Sequence, residues 1–166
     1  MGEMISQKAD LSLTQAHDQV EIGAARKLFE EYQNGLGISL CFQNFDKELA
    51  NLPGDYAPPS GRLLLARVDG TLAGCIALRK LSDEICEMKR LYIRPDFRGK
   101  GLGKRIVEAM LREAKDIGYA RMRLDTLPGR MDEAISLYRA IGFKEIPPYY
   151  NNPSPETLYM ELSLTS

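Results

Sequence analysis

Histidine is nearly absent from this chain of 166 residues, with His17 the sole example. A Cys-His or Ser-His nucleophilic site needs an imidazole partner. His17 lies near the N-terminus, ahead of a predicted helix, which leaves little room for such a site. Cysteine is scarce too. Cys41, Cys75 and Cys86 are odd in number, fit no zinc spacing and each sit among apolar residues. They read as buried, reduced thiols of a cytoplasmic protein. Charge of one sign is also lacking. The net charge of -1 gives no overall field to draw in nucleic acid or anionic lipid. Met1 to Asp10 has no apolar signal-peptide core. Gly2 and Ser6 match the short myristoylation pattern, which also matches often by chance. No internal repeat or long linker divides the chain, so residues 1–166 read as one domain.

What is present is a succession of short amphipathic elements. Ile5 to Leu13 alternates weakly and is expected to be a first strand. His17 to Tyr32 carries Val20, Ala24, Leu28 and Tyr32 four apart, a helix pattern that Asn34-Gly35 should close. Phe42 to Asn51 predicts a second helix with Phe42, Phe45 and Leu49 on one face. Arg62 to Val68 and Thr71 to Leu81 are strand-like, joined by Asp69-Gly70, a tight-hairpin signal. Glu84 to Ile93 is a further strand that Pro95 ends. Gly101 to Ile117 predicts a helix with Leu102, Ile106, Met110, Ala114 and Ile117 as its stripe. Strand Ala120 to Thr126, helix Met131 to Ile141 and strands Phe143 to Ile146 and Thr157 to Leu164 complete the order βααβββαβαββ. This is a mixed α/β (α+β) domain, largely antiparallel in front with a β-α-β crossover behind.

Arg98 to Gly103 stands between a strand and a helix start. The first N–H groups of a helix have no internal partners, and its dipole favours an anion there. Gly99, Gly101 and Gly103 allow close backbone approach, and Arg98, Lys100, Lys104 and Arg105 add positive charge. The loop therefore reads as an anion cradle. A nucleoside-triphosphate loop would need Ser or Thr after its lysine, yet Lys104 is followed by Arg105. A dinucleotide fold would use Asp125 as its acid, but the third glycine of its motif falls on Lys104.

With these residues the chain resembles the GNAT superfamily of N-acetyltransferases. Arg98, Gly101 and Gly103 fill the family's signature. Leu91-Tyr92-Ile93-Arg94-Pro95 ahead of it, and Leu137-Tyr138 followed by Gly142-Phe143 after it, match its surroundings. The resemblance spans roughly Leu63 to Leu162. It implies a mostly antiparallel central sheet flanked by helices and splayed between the fourth and fifth strands. It implies acetyl-CoA as co-substrate, its pyrophosphate held by the N–H groups of Arg98, Gly99, Lys100, Gly101, Leu102, Gly103 and Lys104. Pantetheine would pair with the fourth strand near Ile93. A bulge would free an N–H, that of Leu91, for the thioester carbonyl.

The resemblance also assigns chemistry. Tyr138 matches the family's general acid, and a phenol with a reference pKa near ~10 stays protonated at neutral pH. Residue by residue, the alternative for Tyr138 is a core tyrosine on the Ala134-Tyr138-Ile141 face. Glu87 aligns with a glutamate used as base in one branch of the family. Its alternative is pairing with Lys89 or Arg90, and Glu84 is a rival near the strand start. The asparagine that often opens the later helix is replaced by Met131, so that pantetheine contact would pass to Asp125, Thr126 or Ser136. Tyr32, Phe42, Gln43, Phe45 and the segment Pro147-Pro148-Tyr149-Tyr150-Asn151-Asn152 are candidates for the acceptor side. The expected acceptor is a small-molecule or peptide amine, with no metal, nucleic acid or membrane partner, and the expected state is a monomer or homodimer. A non-catalytic acyl-CoA sensor on the same fold remains the alternative.

Overall fold

The computed structural model describes residues 10–36, 45–129, 131–152 and 154–165. The elements are β1 (Leu11–Gln15), α1 (Gln19–Leu36), α2 (Phe45–Ala50), β2 (Arg62–Val68), β3 (Thr71–Lys80), β4 (Ile85–Ile93), α3 (Leu102–Ile117), β5 (Arg121–Thr126), α4 (Asp132–Ile141), β6 (Lys144–Ile146) and β7 (Leu158–Ser163). The strands form a single sheet in the order β1-β2-β3-β4-β5-β7-β6. All neighbours are antiparallel except β4 and β5, which run parallel with α3 as their crossover. The mixed, mostly antiparallel sheet expected from the sequence is thus present.

Local chemistry explains the element ends. Asp69 and Gly70 turn between β2 and β3 with φ of 49° and 86°, the double positive φ that the tightest hairpins need. Gly118 closes α3 in the left-handed region at φ 115°. The N-terminal part departs from expectation. α1 runs on through Asn34 and Gly35 to Leu36, which is buried. Val20 is 82% exposed, and the inner face is Ile22, Ala25, Leu28, Phe29 and Leu36. A strict four-residue stripe drifts off one face of a helix with 3.6 residues per turn, whereas the mixed three-and-four spacing stays on it. The helix-closing signal of Asn34-Gly35 is overridden by the burial of Leu36. The first strand is described from Leu11, beyond most of Ile5 to Leu13. Cys41, Phe42 and Gln43 lie outside the described residues.

Each face of the sheet has its own core. On one side α3 and α4 pack Leu102, Ile106, Val107, Met110, Ala114 and Tyr138 against Leu64, Ala66, Ile76, Cys86, Met88, Met122 and Leu124. On the other, α1 and α2 pack Leu28, Phe29 and Phe45 against Leu63, Leu65, Cys75 and Ala77. Each fully buried Leu, Ile or Met contributes about 1.5–3 kcal/mol over an exposed one, so both faces hold the sheet rigid around its centre. Strand alternation divides side chains between the two faces. Cys86 and Met88 face α3, so Glu87 and Lys89 face the α1/α2 side. Met122 and Leu124 likewise leave Arg123 and Asp125 on that side.

Candidate active site

The parallel pair of strands does not stay together. β4 and β5 pair at Ile85, Cys86 and Glu87 against Arg121, Met122 and Arg123. Beyond that point a small cleft, open at its mouth, enters between them. Met88, Lys89, Arg90 and Leu91 line it from β4, and Leu124, Asp125 and Thr126 from β5. Tyr138 of α4 and Tyr32 of α1 complete its sides.

β4 carries an irregularity at this mouth. Cys75 faces Tyr92 and Ala77 faces Lys89, so Arg90 and Leu91 together oppose Ile76. That is a β-bulge, which re-aims the backbone locally. Arg90 adopts φ 60°, a left-handed conformation that costs a non-glycine residue about 1–2 kcal/mol. Its side chain is well secured. Glu48 accepts from Nε at 2.8 Å and from Nη2 at 3.0 Å, and the guanidinium lies 5.1 Å from the Phe45 ring centre and 5.9 Å from that of Tyr32. Arg90 is 4% exposed. Just beyond the bulge, where Gly74 pairs with Ile93, the backbone is tight, since a Cβ at Gly74 would run into the Tyr92 carbonyl oxygen. β4 is further tied to α1 by Glu31, which accepts from Arg94 Nη2 at 2.9 Å and from the Tyr92 hydroxyl at 3.2 Å.

At the end of β4 the chain turns into α3 through the glycine loop. Gly99 and Gly101 have φ of 77° and 75°, and α3 starts at Leu102 without a side-chain cap. Its first N–H groups therefore remain suited to an anion. Gly103 brings α3 close to its neighbours, because a Cβ there would meet Leu137 Cδ2 at 3.3 Å and Ile93 Cδ1 at 3.6 Å. Arg98 folds back, donating from Nε to the Ile93 carbonyl at 2.7 Å and stacking over Tyr92 at 5.7 Å. It braces the loop on β4, while Lys100 and Lys104 are exposed.

The walls of the cavity differ in character. Tyr138 is 4% exposed and packs on Phe143 with ring centres 5.7 Å apart. Burial, with the nearby Tyr32 and Asp125, pushes its phenol well above the ordinary range, so it stays protonated. Burial also raises Tyr32 to about 12. Glu87 lies behind the lining, fully buried. Arg79 Nε donates to its Oε1 at 2.7 Å and the Tyr149 hydroxyl to its Oε2 at 2.6 Å, with Lys89 Nζ at 3.9 Å from Oε1. Burial alone would raise its pKa, but Lys89 and Arg79 outweigh that and hold it below the usual carboxylate range. Lys89, 8% exposed, is pulled below its ordinary value by burial, with Glu87 and Asp125 opposing the shift. Asp125 Oδ2 accepts from the Tyr150 hydroxyl, which also accepts from Asn152 Nδ2 at 3.0 Å.

The structure thus brings Leu91 and Tyr138 to one cavity, and places Ile93 and the Arg98–Lys104 loop in sequence along the same strand end. Glu87 stands apart from them. Its partners are Arg79, Lys89 and Tyr149, whereas Arg90, a partner expected from sequence, pairs with Glu48. Glu84 is exposed at the far end of β4. Among the proposed replacements for the missing asparagine, Asp125 and Thr126 line the cavity with Met131, and Ser136 is exposed. Of the acceptor-side candidates, Tyr32 and Asn152 line it. Phe45 is buried under Arg90, and Tyr149 and Tyr150 form an edge-to-face cluster with Tyr159. Among the lining residues not anticipated are Lys89 and Thr157. Lys89 carried the same signal as Glu87, a charge inside a strand expected to be mostly buried. Thr157, whose Oγ1 is buried without a hydrogen-bond partner among the described residues, had no distinguishing sequence signal.

Comparison with known proteins agrees with this geometry. The sequence profile of the acetyltransferase (GNAT) family matches residues 25–143. An uncharacterized N-acetyltransferase of Schizosaccharomyces pombe is 43% identical over 142 residues, covering 84% of this chain and 86% of that protein. The crystal structure of an acetyltransferase from Streptococcus agalactiae superposes with a TM-score of 0.76 at 20% identity, covering 92% of this chain and 98% of the other. A structure of yncA from Salmonella typhimurium with its cofactor acetyl-CoA superposes with a TM-score of 0.63 at 16% identity, covering 93% and 94%. The splayed sheet, the bulged fourth strand and the glycine loop are therefore those of a chain that belongs to the GNAT acetyltransferase family, and the protein is an acyltransferase.

Proposed function

We propose that this protein transfers the acetyl group of acetyl-CoA to the amine of a small molecule or peptide by direct attack in a ternary complex. The observation that carries this reading is the cavity between β4 and β5, bounded by the bulge at Arg90-Leu91, on the same strand whose end leads into a glycine loop at a helix start. The acetyl-CoA reported with the Salmonella protein of the same fold supports the choice of donor. On this reading the N–H groups of Arg98, Gly99, Lys100, Gly101, Leu102, Gly103 and Lys104 receive the pyrophosphate, and the β4 edge near Ile93 pairs with the pantetheine arm. We read residues 1–166 as one catalytic domain, monomeric or homodimeric. Unpaired, buried Cys75 and Cys86 support a cytoplasmic setting.

Acetyl-CoA supplies the activated thioester. The residues of the chain then divide the work. Leu91 N–H, re-aimed by the bulge, donates to the carbonyl oxygen, where negative charge grows as the amine attacks. The C–N bond forms as the C–S bond breaks, and the Tyr138 phenol gives its proton to the departing sulfur. The proton lost by the amine passes through water at the open mouth and restores the Tyr138 phenol. Glu87, ionised and with both oxygens engaged, serves this reading as the anchor of Lys89 and Tyr149 rather than as a direct proton acceptor. The test is a screen of amines for thiol release from acetyl-CoA. Turnover with at least one amine supports the reading. Tight acetyl-CoA binding without turnover of any amine would make the chain an acyl-CoA-binding module instead.

A further inference from the structure

The lining of the cavity carries two polar groups with room for a further partner. Lys89 Nζ has three N–H donors, and its nearest carboxylate oxygen is Glu87 Oε1 at 3.9 Å. That oxygen already accepts from Arg79 at 2.7 Å, and the other carboxylate oxygen accepts from Tyr149 at 2.6 Å. Both Glu87 oxygens are thus engaged by other donors, and Lys89 lies beyond hydrogen-bond reach of them. A buried ammonium in this state favours an added anion. A second, independent observation lies in the same lining, where Thr157 Oγ1 is buried with no hydrogen-bond partner among the described residues. Across the gap on β5 stands Asp125, held by Tyr150 and opposite in charge to Lys89.

We propose that the acceptor is an amine that also carries a carboxylate, an amino-acid-like zwitterion whose carboxylate is received by Lys89. This rests on the acetyl-transfer reading above and names the substrate class of the same site. The placement of charges supplies the logic. Lys89 is two residues before Leu91, so a carboxylate on Lys89 sits along β4 from the amide that faces the thioester. Asp125, on the opposite wall, attracts the positive end of the zwitterion on entry. The Thr157 hydroxyl offers a donor to a remaining oxygen of the ligand. Alternation puts Lys89 and Asp125 on the α1/α2 side, away from Met88 and Leu124 on the α3 side, so acceptor and donor approach from opposite faces.

The experiment compares matched acceptors in the thiol-release assay. Each L-amino acid, β-alanine and γ-aminobutyrate is set against its amide or its decarboxylated amine. A charge-assisted contact predicts that the best carboxylated acceptor exceeds its carboxylate-free partner by about 10- to 100-fold in kcat/KM. Lys89→Gln should bring the two within about twofold by raising the acceptor KM, leaving the KM for acetyl-CoA unchanged. Lys89→Arg, which keeps the charge, should retain the preference. Thermal stabilisation by acetyl-CoA confirms that each variant is folded, and the wild-type comparison stands even if Lys89→Gln is not. Equal turnover of both members of every pair by the wild type overturns the carboxylate claim and leaves acetyl transfer intact. So does a Lys89→Gln effect confined to kcat with a shifted pH profile, which would make Lys89 a base. No thiol release with any amine would remove both readings together.

Discussion

The two faces of the sheet are held by different kinds of interaction. On the α3/α4 face the core is apolar and local in pattern, with the stripe of α3 buried residue by residue against the strands. On the α1/α2 face an apolar core is joined by charged and polar pairs, some of them buried. Arg90 meets Glu48 across 42 positions, Tyr149 meets Glu87 across 62, and Arg94 meets Glu31 across 63. The donor half of the site belongs to the first face and the acceptor half, as proposed, to the second. A cofactor common to a whole family is met by backbone geometry and packing. A particular acceptor is met by side chains that only the folded chain brings together.

Substitutions on each face should separate these contributions. The largest effect is expected on the donor side. Tyr138→Phe removes the proposed acid and should lower turnover by about 10²–10⁴-fold, with acetyl-CoA binding retained in a thermal-shift titration. Equal loss of binding would mean that Tyr138 serves packing alone. On the other face, Glu48→Ala strands the buried Arg90 guanidinium, and urea unfolding should show a loss of about 3–5 kcal/mol. Combining it with Arg90→Met should recover much of that loss, because no charge is then left unpaired. Gly101→Ala forces a Cβ into φ 75°, which should cost about 1–2 kcal/mol of stability and weaken acetyl-CoA binding about tenfold.

The smallest effect is expected at the partly exposed pair of Glu31 and Arg94. The hydrogen bond from Arg94 is the main reason the Glu31 carboxyl is held below its ordinary value of 4.5. A carboxyl depressed in the folded state stabilises the fold above its unfolded pKa and loses that contribution as pH falls through the folded value. Glu31→Gln should therefore cost about 0.2–1 kcal/mol at neutral pH. Its unfolding midpoint should converge with that of the wild type as the pH falls below about 4.5.

The same contrast explains what the sequence disclosed. Periodicity placed α3 and β5 to within a residue, and Asp69-Gly70 marked the hairpin, because these features depend on neighbours in the chain. The glycine loop was visible for the same reason. The length of α1 was not, since Leu36 is kept helical by burial against residues distant in sequence. The bulge position was equally hidden, because the left-handed Arg90 is secured by Glu48, Tyr32 and Phe45 from other elements. Glu87 stood out as a charge within a strand, but its partners Arg79 and Tyr149 could be found only in three dimensions.

A crystal structure of the protein with acetyl-CoA tests the central claim most directly. The account predicts pyrophosphate at the N–H groups of Arg98 to Lys104, pantetheine along β4 beside Ile93, and the thioester carbonyl within hydrogen-bond distance of Leu91 N–H, with the Tyr138 hydroxyl facing the sulfur. Acetyl-CoA bound away from the gap between β4 and β5, or with its thioester remote from both Leu91 and Tyr138, would contradict it.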